Sequence, residues 1–292
     1  MRVLLIGSSG QIGFELSRLL PFVCDLSVLE KTHVEPAKPD NLLKAAERIQ
    51  PDWIINAAAY TKVDDAEANK DEAFAVNSEL PGVIARIANM LNSRLVHFST
   101  DYVFDGTKPS PYFETDPVSP INVYGASKAA GEIAVRQFLE RHLILRTSWI
   151  YSRRRTNFLL TMERLIAERD QIPVVCDQLG APTSAISVAR ATVHAILHCG
   201  ISPNEVTAPL WGSYHVTCSG ETSWHGFAAA IRSRLQGSKA ELKAILSEKY
   251  RTEARRPLNS RLSNMKFESA FSFVMPDWRE ALDEVYAIGE TK

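Results

Sequence analysis

Short apolar runs alternate with segments of helical periodicity along the first half of the chain. Residues 3–6 (VLLI) are continuously apolar, as expected for a strand that is buried on both faces. Similar runs begin at Leu26, Trp53, Arg94 and Leu143, and helical patterns lie between them. This alternation is typical of a parallel sheet covered by helices on both faces. We therefore predict an α/β fold with a Rossmann-like doubly wound parallel sheet.

The second half is less regular. Helical patterns cover residues 158–168, 187–198 and 278–287, and residues 237–252 form a polar connection. The apolar run at residues 172–176 predicts a strand that returns to the central sheet. No internal repeat and no low-complexity segment interrupts the chain.

A glycine triplet follows the first predicted strand and opens a helical segment. Its spacing is Gly7-x-x-Gly10-x-x-Gly13, with Gln11 and Ile12 between the last two glycines, and it differs from the common Gly-x-Gly-x-x-Gly fingerprint. Such glycines permit a tight turn and bring backbone close to a pyrophosphate at the positive end of a helix. A plain strand-to-helix turn is the alternative. The position directly after the first strand favours a dinucleotide site.

The second predicted strand ends at Glu30, about 20 residues beyond the glycines, where an acid accepts hydrogen bonds from the adenosine ribose. A carboxylate there repels a 2′-phosphate and favours NAD. Lys31 and His33 lie close by and favour NADP. We therefore expect NADH or NADPH as the cofactor and leave the choice open.

Small and polar residues at later strand ends extend the predicted cofactor site. Residues 53–61 (WIINAAAYT) predict a strand that ends in small side chains, against which a flat cofactor can lie. Tight packing of the strand end on a helix is an equally good interpretation. In an open parallel sheet the ligand crevice lies at the carboxyl ends of the strands. The predicted cofactor contacts from these segments are Ala57, Ala58, Ala59, Tyr60, Asn77 and Ser99.

Tyr124 and Lys128 lie four residues apart in a predicted helix, so their side chains share one face. A nearby ammonium lowers the pKa of a phenol from its ordinary value of about 10. The spacing alone is common by chance. The pair becomes a candidate site because Thr100 lies at the end of the preceding predicted strand, and a proline-rich loop, residues 109–120, connects that strand to the helix.

Composition narrows the class of partner. The chain has 292 residues, 45% of them hydrophobic and 23% charged, and a net charge of −1. It therefore has no basic field for nucleic acid or an acidic membrane. No run approaches the ~18 apolar residues of a membrane span, and the apolar N-terminus is too short for a signal peptide. The four cysteines are scattered without a Cys-x-x-Cys pair, which argues against a zinc site and a disulfide framework. We expect a cytoplasmic protein with a small-molecule partner, no nucleic acid, no membrane and no metal.

Several motifs in fixed order resemble one family. The glycine triplet, residues 56–59, residues 99–101 and the Tyr124/Lys128 pair resemble the extended short-chain dehydrogenase/reductases. More narrowly, the segments NAAAYTKVD, STDYVFDG, RTSWIY, GAPT and RPLNSRL resemble the dTDP-4-dehydrorhamnose reductase family. The resemblance implies a Rossmann domain over residues 1–150, with a returning segment near residues 170–200. It also implies a smaller α/β nucleotide-sugar domain formed mainly by residues 151–292.

The resemblance also implies catalytic roles. Tyr124 would protonate the C4 carbonyl oxygen as a hydride arrives from the nicotinamide, and Thr100 would hydrogen-bond that oxygen. Lys128 would hold the nicotinamide ribose and lower the pKa of Tyr124. Tyr124 and Lys128 are thus both expected to contact the cofactor as well as to act in catalysis. Nucleotide-sugar dehydratases of the same superfamily resemble Thr-Asp-Glu at this strand end, and Tyr102 here replaces the second acid, which disfavours dehydration. The implied nucleotide-sugar contacts are Thr100, Asp101, Tyr102, Trp149, Arg256 and Asn259.

The leading expectation is reduction of dTDP-4-dehydro-L-rhamnose to dTDP-L-rhamnose by a monomer or homodimer. Two alternatives stay open: a reductase of another 4-keto-6-deoxy nucleotide sugar, and a non-catalytic cofactor-binding regulatory subunit. Retention of Thr100, Tyr124 and Lys128 argues against the second alternative. The charge run at residues 153–155 is interpreted as a solvated loop, or alternatively as a segment that draws in a diphosphate; the family is usually richer in glycine here.

Overall fold

The computed structural model describes residues 1–29, 39–201, 210–235 and 237–289. Glu30, Lys31 and His33 lie outside the described residues. The strands are β1 Arg2–Ile6, β2 Asp25–Leu29, β3 Trp53–Asn56, β4 Arg94–Thr100, β5 His142–Thr147, β6 Ile150–Tyr151, β7 Gln171–Val175, β8 Leu179–Gly180, β9 Thr183–Ser184, β10 Gly212–His215, β11 Thr222–Ser223 and β12 Glu241–Ile245. The helices are α1 Gln11–Leu19, α2 Pro39–Ile49, α3 Val63–Ala68, α4 Lys70–Phe74, α5 Leu80–Met90, α6 Val123–Phe138, α7 Phe158–Glu168, α8 Ala185–Ile201, α9 Trp224–Arg232, α10 Met265–Phe271 and α11 Trp278–Gly289.

A six-stranded sheet in the order β10-β5-β4-β3-β1-β2 forms the centre of the fold, and all of its pairings are parallel. From β1 the chain adds β2 on one side and β3, β4 and β5 on the other. The order thus reverses between β1 and β3, and in such sheets this reversal opens a crevice at the carboxyl ends of the strands. The predicted doubly wound α/β fold is confirmed.

Alternate residues of the central strands enter two separate cores, one on each face of the sheet. Val3 and Leu5 of β1 join a cluster with residues of α1, α8 and α10, whereas Leu4 and Ile6 join a cluster with residues of α2, α5 and α6. Burial on both faces explains why β1 is continuously apolar. Helix α8, from the second half of the chain, covers the same face as α1.

A third core lies in the second half. It packs Leu159 of α7, Phe227 of α9 and Leu282 of α11 with Ile172 and Val174 of β7. The expectation that residues 172–176 return to the central sheet is wrong: β7 pairs with β12, and β10 is the strand that joins the sheet from this half. Burial alternates over the first four residues of β7, as suits a two-stranded sheet, and Val174 and Val175 at its end are both buried. The division at residue 150 stays a prediction.

Among the described residues, no helix combines the length and the apolar character needed to cross a bilayer.

Candidate functional site

The glycine-rich loop between β1 and α1 is shaped by contacts of the backbone with itself. Gly7 has φ +86°, and a Cβ there would lie 2.4 Å from the backbone nitrogen of Ala58. A Cβ at Gly13 would lie 2.1 Å from the carbonyl oxygen of Gly7. At Gly10 the nearest heavy atom would be 3.4 Å away. Gly7 and Gly13 are therefore required by the packing of the chain, whereas the space at Gly10 stays open to a ligand.

The N-terminus of α1 fits an anion. Gly10 is the N-cap and supplies no side-chain hydrogen bond, and the first turn of α1 contains no acidic residue. The first backbone N–H groups of such a helix lack an internal acceptor and carry the positive end of the helix dipole. An open glycine beside uncapped N–H donors is the arrangement that a dinucleotide diphosphate requires.

Gln11 and Ile12 lie in the first turn of α1. The side-chain oxygen of Gln11 accepts hydrogen bonds from Ser152 Oγ at 2.7 Å and from Asn157 Nδ2 at 3.1 Å. Ile12 packs against the core that α1 shares with α8. Both side chains thus contact protein, and their backbone N–H groups are the parts that face the anion end of the helix.

Two buried asparagines fix the backbone of the segment after β3 by hydrogen bonds. Asn56 Oδ1 accepts a hydrogen bond from the backbone N–H of Ala58 at 3.2 Å. Asn77, in a π-helical turn at Ala75–Glu79, accepts from Tyr60 N at 2.9 Å and donates to Tyr60 O at 3.0 Å. Asn77 is fully buried and also donates to Ser127 Oγ. The structure thus gives Asn77 a positioning role, while Ala57 and Ala58 are half-buried at the rim.

The end of β4 forms a tight polar turn. Thr100 Oγ1 donates to Asp101 Oδ1 at 2.8 Å and accepts from Tyr102 N at 3.2 Å, so Thr100 caps the one-turn 3-10 helix Asp101–Val103. Ser99 and Asp101 are buried. Burial raises the pKa of the Asp101 carboxyl to about 6, and its hydrogen bonds only partly oppose this. Within the described residues, Asp101 Oδ2 is buried and has no hydrogen-bond partner.

Helix α6 begins directly against this turn. Its N-cap Asn122 accepts from Gly125 N at 2.7 Å. A Cβ at Gly125 would lie 2.1 Å from the carbonyl oxygen of Tyr102, so only glycine allows this approach. The rings of Tyr102 and Tyr124 consequently meet edge to face at 5.8 Å.

Tyr124 and Lys128 face the carboxyl end of β4 from α6, and Lys128 is 2% exposed. Its ammonium Nζ donates to the carbonyl oxygen of Phe98 at 2.6 Å. Burial lowers the pKa of Lys128 to about 8, although the negative charge of Glu132 opposes the shift.

The prediction that Lys128 lowers the pKa of Tyr124 is wrong. Burial raises the pKa of the Tyr124 phenol above its usual value, and hydrogen bonding to Thr100 opposes the rise. The physical reason is that the Lys128 ammonium is directed to the Phe98 carbonyl, whereas the phenol lies against Tyr102. The phenol is therefore protonated at neutral pH.

The sequence analysis did not predict a buried ion pair between Glu132, one helical turn after Lys128, and Arg146. Glu132 Oε1 accepts from Arg146 Nε at 2.8 Å and Glu132 Oε2 from Arg146 Nη2 at 2.7 Å. Burial disfavours the carboxylate, but the hydrogen bonds and charge of Arg146 outweigh it and lower the pKa of Glu132. The available signal was a single arginine within the apolar run of β5. The pair ties α6 to β5.

In the segment between β5 and β6, Trp149 has φ +50° and stacks on Trp224, with ring centroids 3.6 Å apart. A Cβ at Gly180 would lie 2.6 Å from the Trp149 ring. Strained backbone of this kind clusters at functional sites. The sequence analysis did not single out Trp224, and the stack was therefore not predicted.

Arg256 and Asn259 were both predicted to contact the nucleotide sugar, and their environments differ. Arg256 Nη2 lies 2.6 Å from Asp64 Oδ2, and its side chain is 23% exposed and hydrogen-bonds to Tyr102. Asn259 is buried and donates to the carbonyl oxygens of Lys108 at 2.6 Å and Ser110 at 2.8 Å. Arg256 is therefore placed beside the Tyr102 turn, whereas the side-chain nitrogen of Asn259 is used to hold the proline-rich loop.

Comparison with known proteins extends these local observations to the whole chain. The family model described as RmlD substrate binding domain matches residues 1–290. The dTDP-4-dehydrorhamnose reductase of Burkholderia thailandensis is 43% identical over 289 residues, which cover 97% of this chain and 97% of that protein. The dTDP-4-dehydrorhamnose reductase of Escherichia coli K12 is 40% identical over 288 residues, covering 96% and 95%.

A solved structure gives the same result. The dTDP-4-dehydrorhamnose reductase of Bacillus anthracis, crystallised in complex with NADP, superposes with a TM-score of 0.89 at 35% identity and covers 98% of both chains. The similarity thus includes both halves of the chain and not only the glycine-rich loop.

Proposed function

The chain belongs to the dTDP-4-dehydrorhamnose reductase family, that of the RmlD substrate binding domain, and we propose that it reduces the C4 keto group of dTDP-4-dehydro-L-rhamnose with NADH or NADPH. The product is dTDP-L-rhamnose. The observation that carries this proposal is the meeting of Thr100, Tyr124 and Lys128 at the carboxyl end of β4. The activity named for the relatives requires a proton donor beside a nicotinamide, and this group of residues supplies one.

The glycine-rich loop fits the cofactor. Gly10 and the uncapped N-terminus of α1 would hold the diphosphate, and Ala57, Ala58, Ala59 and Tyr60 would line the path beyond it. Lys128 would hold the nicotinamide ribose, because its ammonium uses one donor on Phe98 and has two more. When bound, the reduced nicotinamide supplies the hydride for C4.

Tyr124 is the general acid. The phenol is protonated at neutral pH, as is required of a group that gives a proton to the carbonyl oxygen while C4 is reduced. Thr100 has a single O–H, which would turn from Asp101 Oδ1 to donate to the same oxygen and stabilise the negative charge that develops there. The ion pair of Glu132 and Arg146 positions α6 on β5, and neither residue is proposed to contact a reactant.

The sugar side of the cleft is proposed to consist of Asp101, Tyr102, Trp149 and Arg256, with Asn259 acting through the proline-rich loop. Residues 151–292 would supply most of this nucleotide-sugar domain. Because Tyr102 occupies the position of a dehydratase acid, elimination is disfavoured and reduction is left as the reaction. We place the enzyme in the cytoplasm as a monomer or homodimer.

The proposal is tested by the oxidation of NADH and NADPH with a panel of 4-keto-6-deoxy nucleotide sugars that vary in base and sugar. We expect the highest kcat/KM with dTDP-4-dehydro-L-rhamnose. Absence of turnover with every sugar, in protein that binds the nucleotide, would favour a regulatory subunit instead. A preference for a different sugar would correct the substrate and keep the chemistry.

A further inference from the structure

The loop between β6 and α7 contacts the glycine-rich loop at points that the proposed reaction does not use. Arg155 Nε donates to the carbonyl oxygen of Ser9 at 2.9 Å. The guanidinium of Arg154 lies 3.8 Å from the ring centroid of Phe14, on α1. Together with the hydrogen bonds from Ser152 and Asn157 to Gln11, these contacts fix the loop against the start of α1.

The three arginines of this loop differ in their partners. Arg153 Nη1 lies 2.6 Å from Glu163 Oε1, so its charge is balanced by an acid. Arg154 stacks on Phe14. Arg155 is exposed and uses Nε on Ser9, while its two terminal nitrogens have no hydrogen bond to protein within the described ranges.

The backbone of Arg155 is unusual as well. Its φ of +61° lies in the left-handed region, which is unfavourable for a residue with a Cβ. The contact of Nε with Ser9 fixes the position of this side chain beside the glycine-rich loop, and within the described ranges it leaves Nη1 and Nη2 available to a ligand.

We propose that Arg155 binds the bridging diphosphate of the dinucleotide cofactor. The inference rests on the proposed function, because it requires a dinucleotide at the glycine-rich loop. Ser9 directly precedes Gly10, the N-cap of α1, so the guanidinium is anchored next to the uncapped N–H groups. A planar guanidinium offers parallel N–H donors that match two phosphate oxygens, and its charge complements the anion. Arg155 thus adds a cation to an anion site otherwise made of backbone.

The test measures equilibrium binding of NADH and of NADPH without any sugar, by nucleotide fluorescence and by calorimetry, for wild type, Arg155→Met and Arg153→Met. Arg153→Met is the matched control, because it removes the same charge from the same loop. We expect Arg155→Met to weaken both nucleotides about tenfold and to reduce the dependence of binding on salt. Arg153→Met should stay within about twofold of wild type. The melting temperature of the nucleotide-free protein should change as little in Arg155→Met as in Arg153→Met, because each variant loses one contact of an exposed side chain. Arg155→Lys should bind with intermediate affinity.

Each other outcome has a definite meaning. Unchanged binding in Arg155→Met, while wild type binds both nucleotides, overturns this inference and leaves the proposed function intact. A loss confined to NADPH also overturns it, because the contact would then be with the 2′-phosphate. If wild type binds neither nucleotide, the proposed function fails together with the inference.

Discussion

The glycine-rich loop at residues 7–13 and the arginine-rich segment at residues 255–261 lie in the two halves of the chain, and both carry sequence patterns that predict ligand binding. In the loop, Gly7 and Gly13 are dictated by contacts of the backbone with itself. In the segment, Asn259 holds the proline-rich loop and Arg256 pairs with Asp64. A glycine at a crowded turn therefore has one physical explanation, whereas a polar side chain has several, and only the folded chain separates them.

The largest effect on activity is expected at Tyr124, which lies between these two regions in the sequence. Tyr124→Phe removes the proton donor but keeps the ring that packs on Tyr102. We expect kcat to fall by about 10²- to 10⁴-fold, with the Kd for NADPH unchanged, as measured by steady-state kinetics and nucleotide fluorescence. Full activity in this variant would show that another group supplies the proton. A large loss of cofactor affinity would instead place Tyr124 with the glycine-rich loop.

Gly13→Ala tests the loop half of the comparison. A Cβ 2.1 Å from the Gly7 carbonyl must displace backbone, so we expect a loss of about 3 kcal/mol in the free energy of unfolding. Gly10→Ala is the control, since its Cβ meets nothing closer than 3.4 Å and its φ is −75°. Denaturant unfolding should give Gly10→Ala a stability near that of wild type. Nucleotide fluorescence should show that Gly10→Ala binds the cofactor more weakly. Equal stability of both variants would refute the packing explanation.

Asn259→Ala tests the segment. The change leaves the carbonyl oxygens of Lys108 and Ser110 without their donor, and we expect a loss of about 1–3 kcal/mol in unfolding free energy. The Kd for NADPH should not change. The exposed Arg255→Ala serves as the control in the same segment. Wild-type stability combined with a raised KM for the sugar would mean that Asn259 contacts substrate directly.

An effect of similar size, seen only as a function of pH, concerns Asp101. Its pKa is about 6 in the folded chain and ordinarily 3.8, so the folded state binds more protons than the unfolded state between these values. Its contribution to stability is thus fully present below about pH 4 and lost as pH rises through about 6. Relative to that of wild type, the free energy of unfolding of Asp101→Asn should rise by on the order of 1–3 kcal/mol between pH 4 and pH 7. A pH-independent difference between the two proteins would contradict the raised pKa.

Features that depend on spacing along one element could be predicted from the sequence. The glycine triplet, the strand ends and the Tyr124/Lys128 pair belong to this class, because helix and strand periods fix which side chains share a face. The Glu132–Arg146 pair could not be predicted, since it depends on how α6 lies on β5. The strand β7 was placed in the wrong sheet because its apolar run suits either partner. The direction of the Tyr124 pKa shift was missed because it depends on burial and on where the Lys128 ammonium points.

The central claim is hydride transfer to C4 of the sugar with a proton from Tyr124, and isotope transfer tests it most directly. The purified chain is incubated with dTDP-4-dehydro-L-rhamnose and NADPH that carries deuterium at the transferable nicotinamide position, and the product is analysed by NMR and mass spectrometry. We expect dTDP-L-rhamnose with deuterium at C4, formed at least about 100-fold more slowly by Tyr124→Phe. An unlabelled product, deuterium at another carbon, or no product from protein that binds both ligands would contradict the claim.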